Sequence, residues 1–239
     1  NRVETGEPYI MFKDTVDKGL PEFQQKLGLK VHHSNLCSEI TLPTDVDRTA
    51  VCCLSSVNLE EYDEWKNNDL FIPDLIRMLD NVLDHFIHNA PSELHRAVYS
   101  ARQERSLGLG AMGFHAYLQR HSIPFESVIA KVRNKNMFRE IKEKANETTK
   151  LLAKERGECP DAVGYGVRNS HLLAIAPNAS SSIICGNTSP SIEPYRANAF
   201  VQKTKTGSSL LKNEYLEHCL DELGMNNEDI WKDIITHDG

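Results

Sequence analysis

Three side chains that can take part in chemistry occur at every second position of one short segment: an amide at Asn35, a thiol at Cys37 and a carboxylate at Glu39. Successive side chains of an extended chain point to opposite faces, so these three groups would share one face of a strand. Leu36 and Ser38 would point away from that face. The spacing therefore predicts a site at residues 35–39, where three reactive groups meet.

The cost of burial separates a functional from a structural interpretation of this segment. An unpaired polar group costs about 1–3 kcal/mol when buried, so an apolar strand gains nothing from an amide and a carboxylate on its inner face. A strand at a sheet edge, with one face in solvent, would avoid that cost. Free cysteines are more often packing residues, which is our interpretation of Cys159, Cys185 and Cys219. Cys37 differs because polar groups flank it on the same predicted face.

Two adjacent thiols, Cys52 and Cys53, offer a second candidate group. Neighbouring cysteines rarely bond to each other, and in an extended chain they point in opposite directions. We therefore expect only one of the two to share a pocket with Cys37.

A possible anion site follows an apolar run at residues 172–176. Pro177, Asn178, Ala179, Ser180 and Ser181 come directly after that run and precede Ile183. Backbone N–H groups, hydroxyls and a helix N-terminus at this point could bind a phosphate. A serine-rich helix cap is the structural alternative, and the segment lacks the Gly-Lys-Ser/Thr ending of a Walker loop.

Two helices are predicted from apolar residues at three- and four-residue steps. The first covers roughly residues 70–88, and its apolar stripe runs from Ile72 to Ile87. The second covers about residues 126–156, and Gly157 is a natural end for it. Between them, the small residues of the segment 105–118 allow close backbone approach before a short helix.

Extended segments are predicted between and before these helices. They are a buried strand at residues 9–12, extended segments at 30–42 and 51–59, and an apolar strand at 172–176. Strands that alternate with helices indicate an α/β architecture with largely parallel pairing. We find no linker or repeat, so we treat residues 1–239 as one structural unit.

The composition is that of an ordinary globular protein, with 40% apolar and 26% charged residues. A formal charge of −7 argues against a nucleic acid polymer as the partner. The sequence has no apolar run long enough for a membrane span, no cysteine spacing for a disulfide scaffold or zinc, and no further metal ligands beside His32 and His33. We expect a cytoplasmic protein without a metal site of its own. Because it opens on Asn1, it reads as a piece of a longer polypeptide.

Five ordered blocks of this sequence resemble the large catalytic subunit of class I ribonucleotide reductase. They are Ser34-Asn35-Leu36-Cys37-Ser38-Glu39-Ile40, Val51-Cys52-Cys53-Leu54-Ser55-Ser56-Val57-Asn58-Leu59, Arg105-Ser106-Leu107-Gly108-Leu109-Gly110, Pro177-Asn178-Ala179-Ser180-Ser181 and Ile192-Glu193-Pro194. The resemblance covers nearly the whole chain. It implies part of a ten-stranded α/β barrel, in which a central finger loop carries the radical cysteine.

The resemblance also implies a role for each site residue. Cys37 would be the thiyl radical that removes the 3′ hydrogen of a ribonucleoside diphosphate, Glu39 the base for the 3′ hydroxyl, and Asn35 a hydrogen-bond partner of the sugar. Cys52 aligns with one of two thiols that reduce C2′ and end as a disulfide. Residues 35–39 and 177–181 would together bind the substrate, with 177–181 at its diphosphate.

Several parts of such a reductase are expected outside this chain. These are the second reducing cysteine, the regions that bind ATP and deoxynucleotide effectors, the tyrosines that relay the radical, and the tail cysteines. The metal-radical cofactor would lie in the small subunit, and thioredoxin or glutaredoxin would be the reductant. We therefore expect no activity from this chain alone.

Two alternatives remain open at the level of sequence. The first is the adenosylcobalamin-dependent class II reductase, which shares the barrel and a glycine-rich block like Leu107–Gly113; the form of residues 35–39 is closer to class I. The second is an inactive fragment that binds nucleotide or pairs with other subunits. Replacement of Cys37 separates this second alternative from an enzyme.

Overall fold

The computed structural model describes residues 2–204 and 207–237 and has a mixed α/β composition. Its α-helices are α1 Arg2–Thr5, α2 Lys13–Gly19, α3 Glu22–Lys26, α4 Tyr62–Trp65, α5 Phe71–Asn89, α6 His95–Glu104, α7 Phe114–Arg120, α8 Val128–Arg156, α9 Ser181–Ile184, α10 Glu214–Glu222 and α11 Glu228–Thr236. Its strands are β1 Cys53–Asn58, β2 Leu107–Met112, β3 Ala199–Thr204 and β4 Gly207–Lys212. Short 3-10 helices cover Leu59–Glu61, Ser92–Leu94 and Pro160–Ala162.

The strands form two small sheets, β1 with β2 and β3 with β4. Strands β3 and β4 pair antiparallel, from Ala199 opposite Lys212 to Thr204 opposite Gly207. Parallel pairing appears between Leu109 and Leu173. The α/β class predicted from sequence is confirmed, whereas the ten-stranded barrel and its finger loop stay predictions.

Contacts divide the chain into two compact units that interleave along the sequence. The first contains residues 1–55, 68–110 and 138–176, and the second contains residues 56–67, 111–137 and 177–239. That residues 1–239 are one part of a larger barrel domain stays a prediction.

The two predicted helices are confirmed as α5 and α8. In α5, the stripe from Ile72 to Ile87 is buried, but Val82 at its margin is 50% exposed. Helix α8 ends at Arg156, and Gly157 follows with a φ of +88°, the left-handed conformation that glycine adopts without steric cost. None of the helices among residues 2–204 and 207–237 is long and apolar enough to cross a membrane.

Three predictions of extended structure need correction. Residues 9–12 form no strand, and Tyr9, Ile10 and Phe12 are exposed, because this short run finds no strand to pair with. The segment 30–42 contains a turn instead of a continuous strand. In the run 172–176, only Leu173 is bridged, although neighbouring backbone groups bond to β2 as in a parallel pair.

The first unit is held together by a buried carboxylate at Asp80, which lies on the inner face of α5. Nε of Arg105 donates to Asp80 at 2.9 Å, Nε of Arg168 at 2.8 Å and Nη1 of Arg156 at 2.9 Å. The amide of Asn169 donates to the same carboxylate at 3.1 Å. Burial alone would raise the pKa of Asp80, but hydrogen bonds from Arg105 and Arg168 hold it below its ordinary value. This network connects α5 to the ends of α6 and α8 and to the segment 168–169.

Candidate active site

The segment that carries Cys37 is a tight loop closed by Asn35 and Ile40. The N–H of Asn35 donates to the carbonyl of Ile40 at 3.2 Å, and the N–H of Ile40 donates to Oδ1 of Asn35 at 3.1 Å. Inside this loop, the N–H of Ser38 donates to the carbonyl of Asn35 at 3.2 Å, which makes a turn. Ser38 has a φ of +65°. The single shared face predicted for residues 35, 37 and 39 is therefore wrong.

The turn presents Cys37 at an exposed position between Leu36, which is 89% exposed, and the left-handed Ser38. The thiol of Cys37 is thus accessible to a substrate or to another segment. The amide oxygen of Asn35 is already used to close the loop. Its NH₂ group stays available as a donor, because only the oxygen accepts the Ile40 N–H.

Glu39 contributes a carboxylate oxygen that is buried but unused. Its side chain is partly buried, and its Oε2 atom has no hydrogen-bond partner among the described residues. Such an orphaned acceptor is costly and is resolved when a donor such as a hydroxyl group arrives. The predicted role of Glu39 as a base stays a prediction.

Cys52, and not Cys53, lines a cavity of about 640 Å³ in the first unit, together with Asn35, His32 and Arg48. Burial raises the pKa of the Cys52 thiol to about 12, and the neighbouring acidic groups of Cys53, Glu104 and Glu39 act in the same direction. At neutral pH this thiol is therefore protonated, which suits a donor of hydrogen and not a nucleophile.

The two adjacent thiols lie in different electrostatic environments. Burial also raises the pKa of Cys53, but there the guanidinium of Arg105 acts against the shift and the charge of Asp80 adds to it. Cys52 thus lines the cavity and Cys53 does not, whereas neither Cys37 nor Glu39 lines it. A pocket shared by Cys37 and Cys52 therefore stays a prediction.

Strand β2 passes Cys52 with glycines at two positions where no side chain fits. A Cβ atom on Gly108 would lie 2.4 Å from Cδ2 of Leu54 and 3.1 Å from Sγ of Cys52. A Cβ atom on Gly110 would lie 2.3 Å from the carbonyl oxygen of Ala174. The close backbone approach predicted for the segment 105–118 is therefore confirmed.

Sequence reasoning missed a buried polar cluster around Glu104, the last residue of α6. Glu104 is fully buried, its Oε2 accepts from the Gln24 amide at 3.2 Å, and its Oε1 has no partner among the described residues. The Oε1 of Gln24 in turn lies 3.1 Å from Nε2 of His171. Burial raises the pKa of Glu104 to about 8 and lowers that of His171 to about 4. From sequence, a glutamate at a helix end is expected to be exposed to solvent. No sequence signal therefore indicated that Glu104 is buried.

In the second unit, the predicted anion segment is a loop followed by the single turn of α9. Asn178 is buried, and its amide lies 3.4 Å from the carbonyl of Ala111 and from Oγ of Ser191, so it positions the loop. The N–H of Ser182 donates to the carbonyl of Asn178 at 2.9 Å, whereas Ser180 is exposed.

The same segment borders a cavity of about 930 Å³, to which Pro177, Ala179 and Ser182 contribute. Nearby, Gly113 has a φ of +79°, and a Cβ atom there would lie 2.3 Å from Oδ1 of Asn58 and 2.7 Å from Oγ1 of Thr188. Exposed hydroxyls on a loop fixed in this way can hold an anion, and the role of residues 177–181 in substrate binding stays a prediction.

Metal ligands are not clustered in the part of the chain that the structure describes, where no group of three His, Cys, Asp or Glu side chains could hold an ion.

Comparison with known proteins places these features in one family. A family model described as ribonucleotide reductase, barrel domain, matches residues 1–164 and 160–238. The ribonucleoside-diphosphate reductase large subunit of invertebrate iridescent virus 3 is 52% identical over 241 residues, which cover 100% of this chain and 38% of that protein. The putative large subunit of frog virus 3 is 53% identical, and the match covers 100% of this chain and 42% of that protein.

A solved structure shows the same similarity. The Actinobacillus ureae class Id ribonucleotide reductase alpha subunit matches with a TM-score of 0.90 and 41% identity, covering 100% of this chain and 44% of that chain. The chain thus spans about two-fifths of the length of these relatives.

Proposed function

Because this chain belongs to the ribonucleotide reductase barrel domain family, we propose that it is part of a ribonucleoside-diphosphate reductase large subunit. In this function it reduces ribonucleotides to deoxyribonucleotides for DNA synthesis by thiyl-radical chemistry. The observation that carries the proposal is the closed turn at residues 35–40, which exposes the thiol of Cys37 and in which one carboxylate oxygen of Glu39 has no partner among the described residues.

The first chemical step uses both of these groups. The Cys37 thiyl radical takes the 3′ hydrogen atom of the ribose, so a C–H bond breaks and an S–H bond forms. The unused oxygen of Glu39 accepts the proton of the 3′ hydroxyl, because a carboxylate within hydrogen-bond reach is placed for general base catalysis. The NH₂ group of Asn35 orients the sugar.

The second step removes the 2′ hydroxyl. That group leaves as water with a proton from a thiol, and Cys52 together with a second thiol supplies the hydrogen and electrons that replace it. The two thiols lose two hydrogens and become a disulfide, which balances the reduction at C2′. Cys37 then returns a hydrogen atom to C3′ and becomes a thiyl radical again, and Glu39 returns the proton to the 3′ oxygen. The raised pKa of Cys52 supports this role, since a protonated thiol carries the hydrogen that is delivered.

The other components of the reaction are also part of the proposal. Residues 177–181 bind the substrate diphosphate through backbone N–H groups and the hydroxyls of Ser180 and Ser181, while the Asn178 side chain fixes the loop. A small subunit with a metal-radical cofactor generates the radical, thioredoxin or glutaredoxin reduces the disulfide, and ATP or deoxynucleotides act on the remaining large-subunit segments. We place the enzyme in the cytoplasm.

A chimera tests the proposal. Residues 1–239 replace the matching region of the iridescent virus 3 large subunit, and the chimera is assayed with a radical-generating small subunit for deoxynucleotide formation. We expect Cys37→Ser to abolish product formation, because serine cannot form the thiyl radical, while nucleotide binding measured by equilibrium dialysis is retained.

Cys185→Ser is the matched control, since Cys185 is also an exposed free cysteine. It should leave the rate unchanged. Because Cys185 and Cys219 are exposed, the packing role predicted for them is wrong, whereas Cys159 is buried as predicted. Product formation by the Cys37→Ser chimera at the parent rate would contradict the proposal, and so would an inactive parent chimera that folds and binds nucleotide.

A further inference from the structure

We propose that Gly108 is a positioning residue for the Cys52 thiol, and that its missing side chain leaves the space in which the sulfur lies. The proposal concerns the first unit alone, where Gly108 in β2 lies beside Cys52, the residue that precedes β1. Its catalytic consequence rests on the proposed function, whereas the placement of the sulfur does not.

Backbone conformation does not explain the glycine at this position. Neither Gly108 nor Gly110 has a positive φ, so an L-residue could adopt the backbone conformation found at each of these positions. Space is therefore the reason for glycine at both positions. Both are fully enclosed within β2, whose residues are all buried.

The two glycines differ in what occupies the space beside them. A Cβ atom on Gly110 would meet the backbone of Ala174 at 2.3 Å, and backbone cannot move away without breaking the pairing with β2. A Cβ atom on Gly108 would meet three side chains, at 2.4 Å from Leu54, 3.1 Å from Ala174 and 3.1 Å from Sγ of Cys52. Gly110 is thus required by the fold, whereas Gly108 is required by its side-chain neighbours.

Among these neighbours, Cys52 is the one whose displacement has a chemical effect. The contact of Leu54 is with the end of a flexible side chain that can rotate, and the Cβ of Ala174 is fixed by its backbone. The sulfur of Cys52 has one weak hydrogen bond, to the carbonyl of Cys53 at 3.8 Å, so little holds it against a shift. An added methyl group at position 108 therefore moves this sulfur by a few tenths of an ångström within the 640 Å³ cavity.

Hydrogen delivery is sensitive to such a shift. A misplacement of about 1 Å in an active site can cost about 100-fold in rate, so a smaller shift is expected to cost about tenfold. We expect the rate of reduction at C2′, which uses Cys52, to fall. The earlier removal of the 3′ hydrogen by Cys37 should keep its rate.

The Gly108→Ala variant of the chimera tests the inference by comparing two steps of one reaction. Release of tritium from a 3′-labelled nucleoside diphosphate reports the Cys37 step, and deoxynucleotide formation reports the Cys52 step. We expect the product formed per tritium released to fall about tenfold, with nucleotide affinity unchanged. A purely structural defect would lower both steps and the affinity together.

A second variant separates Cys52 from Leu54 and protects against misfolding. Leu54→Val removes the atom that lies 2.4 Å from the new Cβ, so Gly108→Ala/Leu54→Val relieves that clash and keeps the contact with sulfur. We expect Gly108→Ala to lower the product formed per tritium released by the same factor in the Leu54→Val background as in the parent. The inference would be overturned if the double variant formed as much product per tritium released as Leu54→Val alone. It would also be overturned if Gly108→Ala alone formed as much as the parent.

Alkylation gives a readout that does not depend on the proposed function. Iodoacetamide labelling of Cys52 is measured by mass spectrometry against Cys185 of the same chain as the internal reference. We expect Gly108→Ala and the double variant to change the relative rate at Cys52 at least about threefold, because the sulfur leaves its present position. An unchanged rate at Cys52 would overturn the inference, whereas a changed rate without product from the parent chimera would reject the proposed function only.

Discussion

At the scale of single residues, Asn35 shows why candidate site residues could be proposed from sequence while their geometry could not. Their alternation suggested a flat strand, but the Asn35 carboxamide accepts the Ile40 N–H and closes a loop. Asparagine side chains compete with the backbone in this way, and the sequence does not reveal which interaction wins. In this loop, one carboxylate oxygen of Glu39 has no hydrogen-bond partner among the described residues. The role of proton acceptor proposed for Glu39 is therefore compatible with a turn as well as with a strand.

Glu104 gives a prediction about the dependence of stability on pH. Its carboxyl has an ordinary pKa of 4.5 and a pKa of about 8 in the folded protein because of burial. Between these pH values the folded chain holds a proton that the unfolded chain has lost, so rising pH favours unfolding up to about pH 8. We expect Glu104→Gln to remove this slope, which is about 1.4 kcal/mol per pH unit at most.

Urea denaturation of the wild-type and Glu104→Gln chains at pH 5.5, 7 and 8.5 measures this difference. Arg48 and Asp161 are the charged groups that act on Glu104, and both are present in the wild type and in the variant. His171 is also present in both. The free energy of unfolding of the wild type should therefore fall relative to the variant between pH 5.5 and 8. Parallel curves over this range would show that Glu104 ionises normally.

At the scale of elements, helices were predicted better than strands. The stripes of α5 and α8 repeat over many turns, so one exposed residue such as Val82 does not obscure them. The short run at residues 9–12 has no such redundancy, and a strand also needs a partner that local sequence does not specify. The run 172–176 did find a partner in β2, but the bridge there is limited to Leu173.

The network around Asp80 gives a prediction for the elements that it joins. Asp80→Asn leaves the guanidinium group of Arg168 buried without a compensating charge, and Arg105 keeps only the half-exposed Asp84 as a charged partner. We expect the free energy of unfolding to fall by about 3–5 kcal/mol, as is typical when one partner of a buried ion pair is removed. Thermal and urea denaturation followed by circular dichroism measure this loss.

Asp84→Asn is the matched control, because Asp84 also faces Arg105, at 3.3 Å, but its side chain is 46% exposed. Such an exposed pair contributes about 1 kcal/mol or less. Equal losses in the two variants would show that burial of Asp80 is not what makes its network important.

At the scale of the whole molecule, the class of fold was predictable and the division into units was not. Alternating helices and strands indicated α/β, and the chain belongs to a family of barrel domains. The contacts, however, form two units that each draw on three separate stretches of sequence. Such long-range grouping depends on tertiary packing, which local periodicity does not encode.

The share of its relatives that this chain covers leads to a prediction about activity. It spans 38% and 42% of the two viral large subunits, and Cys52 needs a second thiol to form a disulfide. We expect the 239-residue chain alone to make no deoxynucleotide, and the chimera with the remaining large-subunit segments to make it. Deoxynucleotide formation by the chain and by the chimera is measured with radiolabelled nucleoside diphosphate, a dithiol reductant and the small subunit. Deoxynucleotide formation by the isolated chain would contradict the expectation.

The left-handed Arg105, between α6 and β2, has a consequence for strand register. Asp80 holds its guanidinium three residues before Gly108, so the starting point of β2 is anchored by buried charge. A slip of β2 by one residue in either direction would bring a leucine, Leu107 or Leu109, to the position of Gly108 and fill the space of the Cys52 sulfur. The ion pair of Arg105 with Asp80 thus fixes the register of β2, and this register determines the space that is left for the Cys52 sulfur.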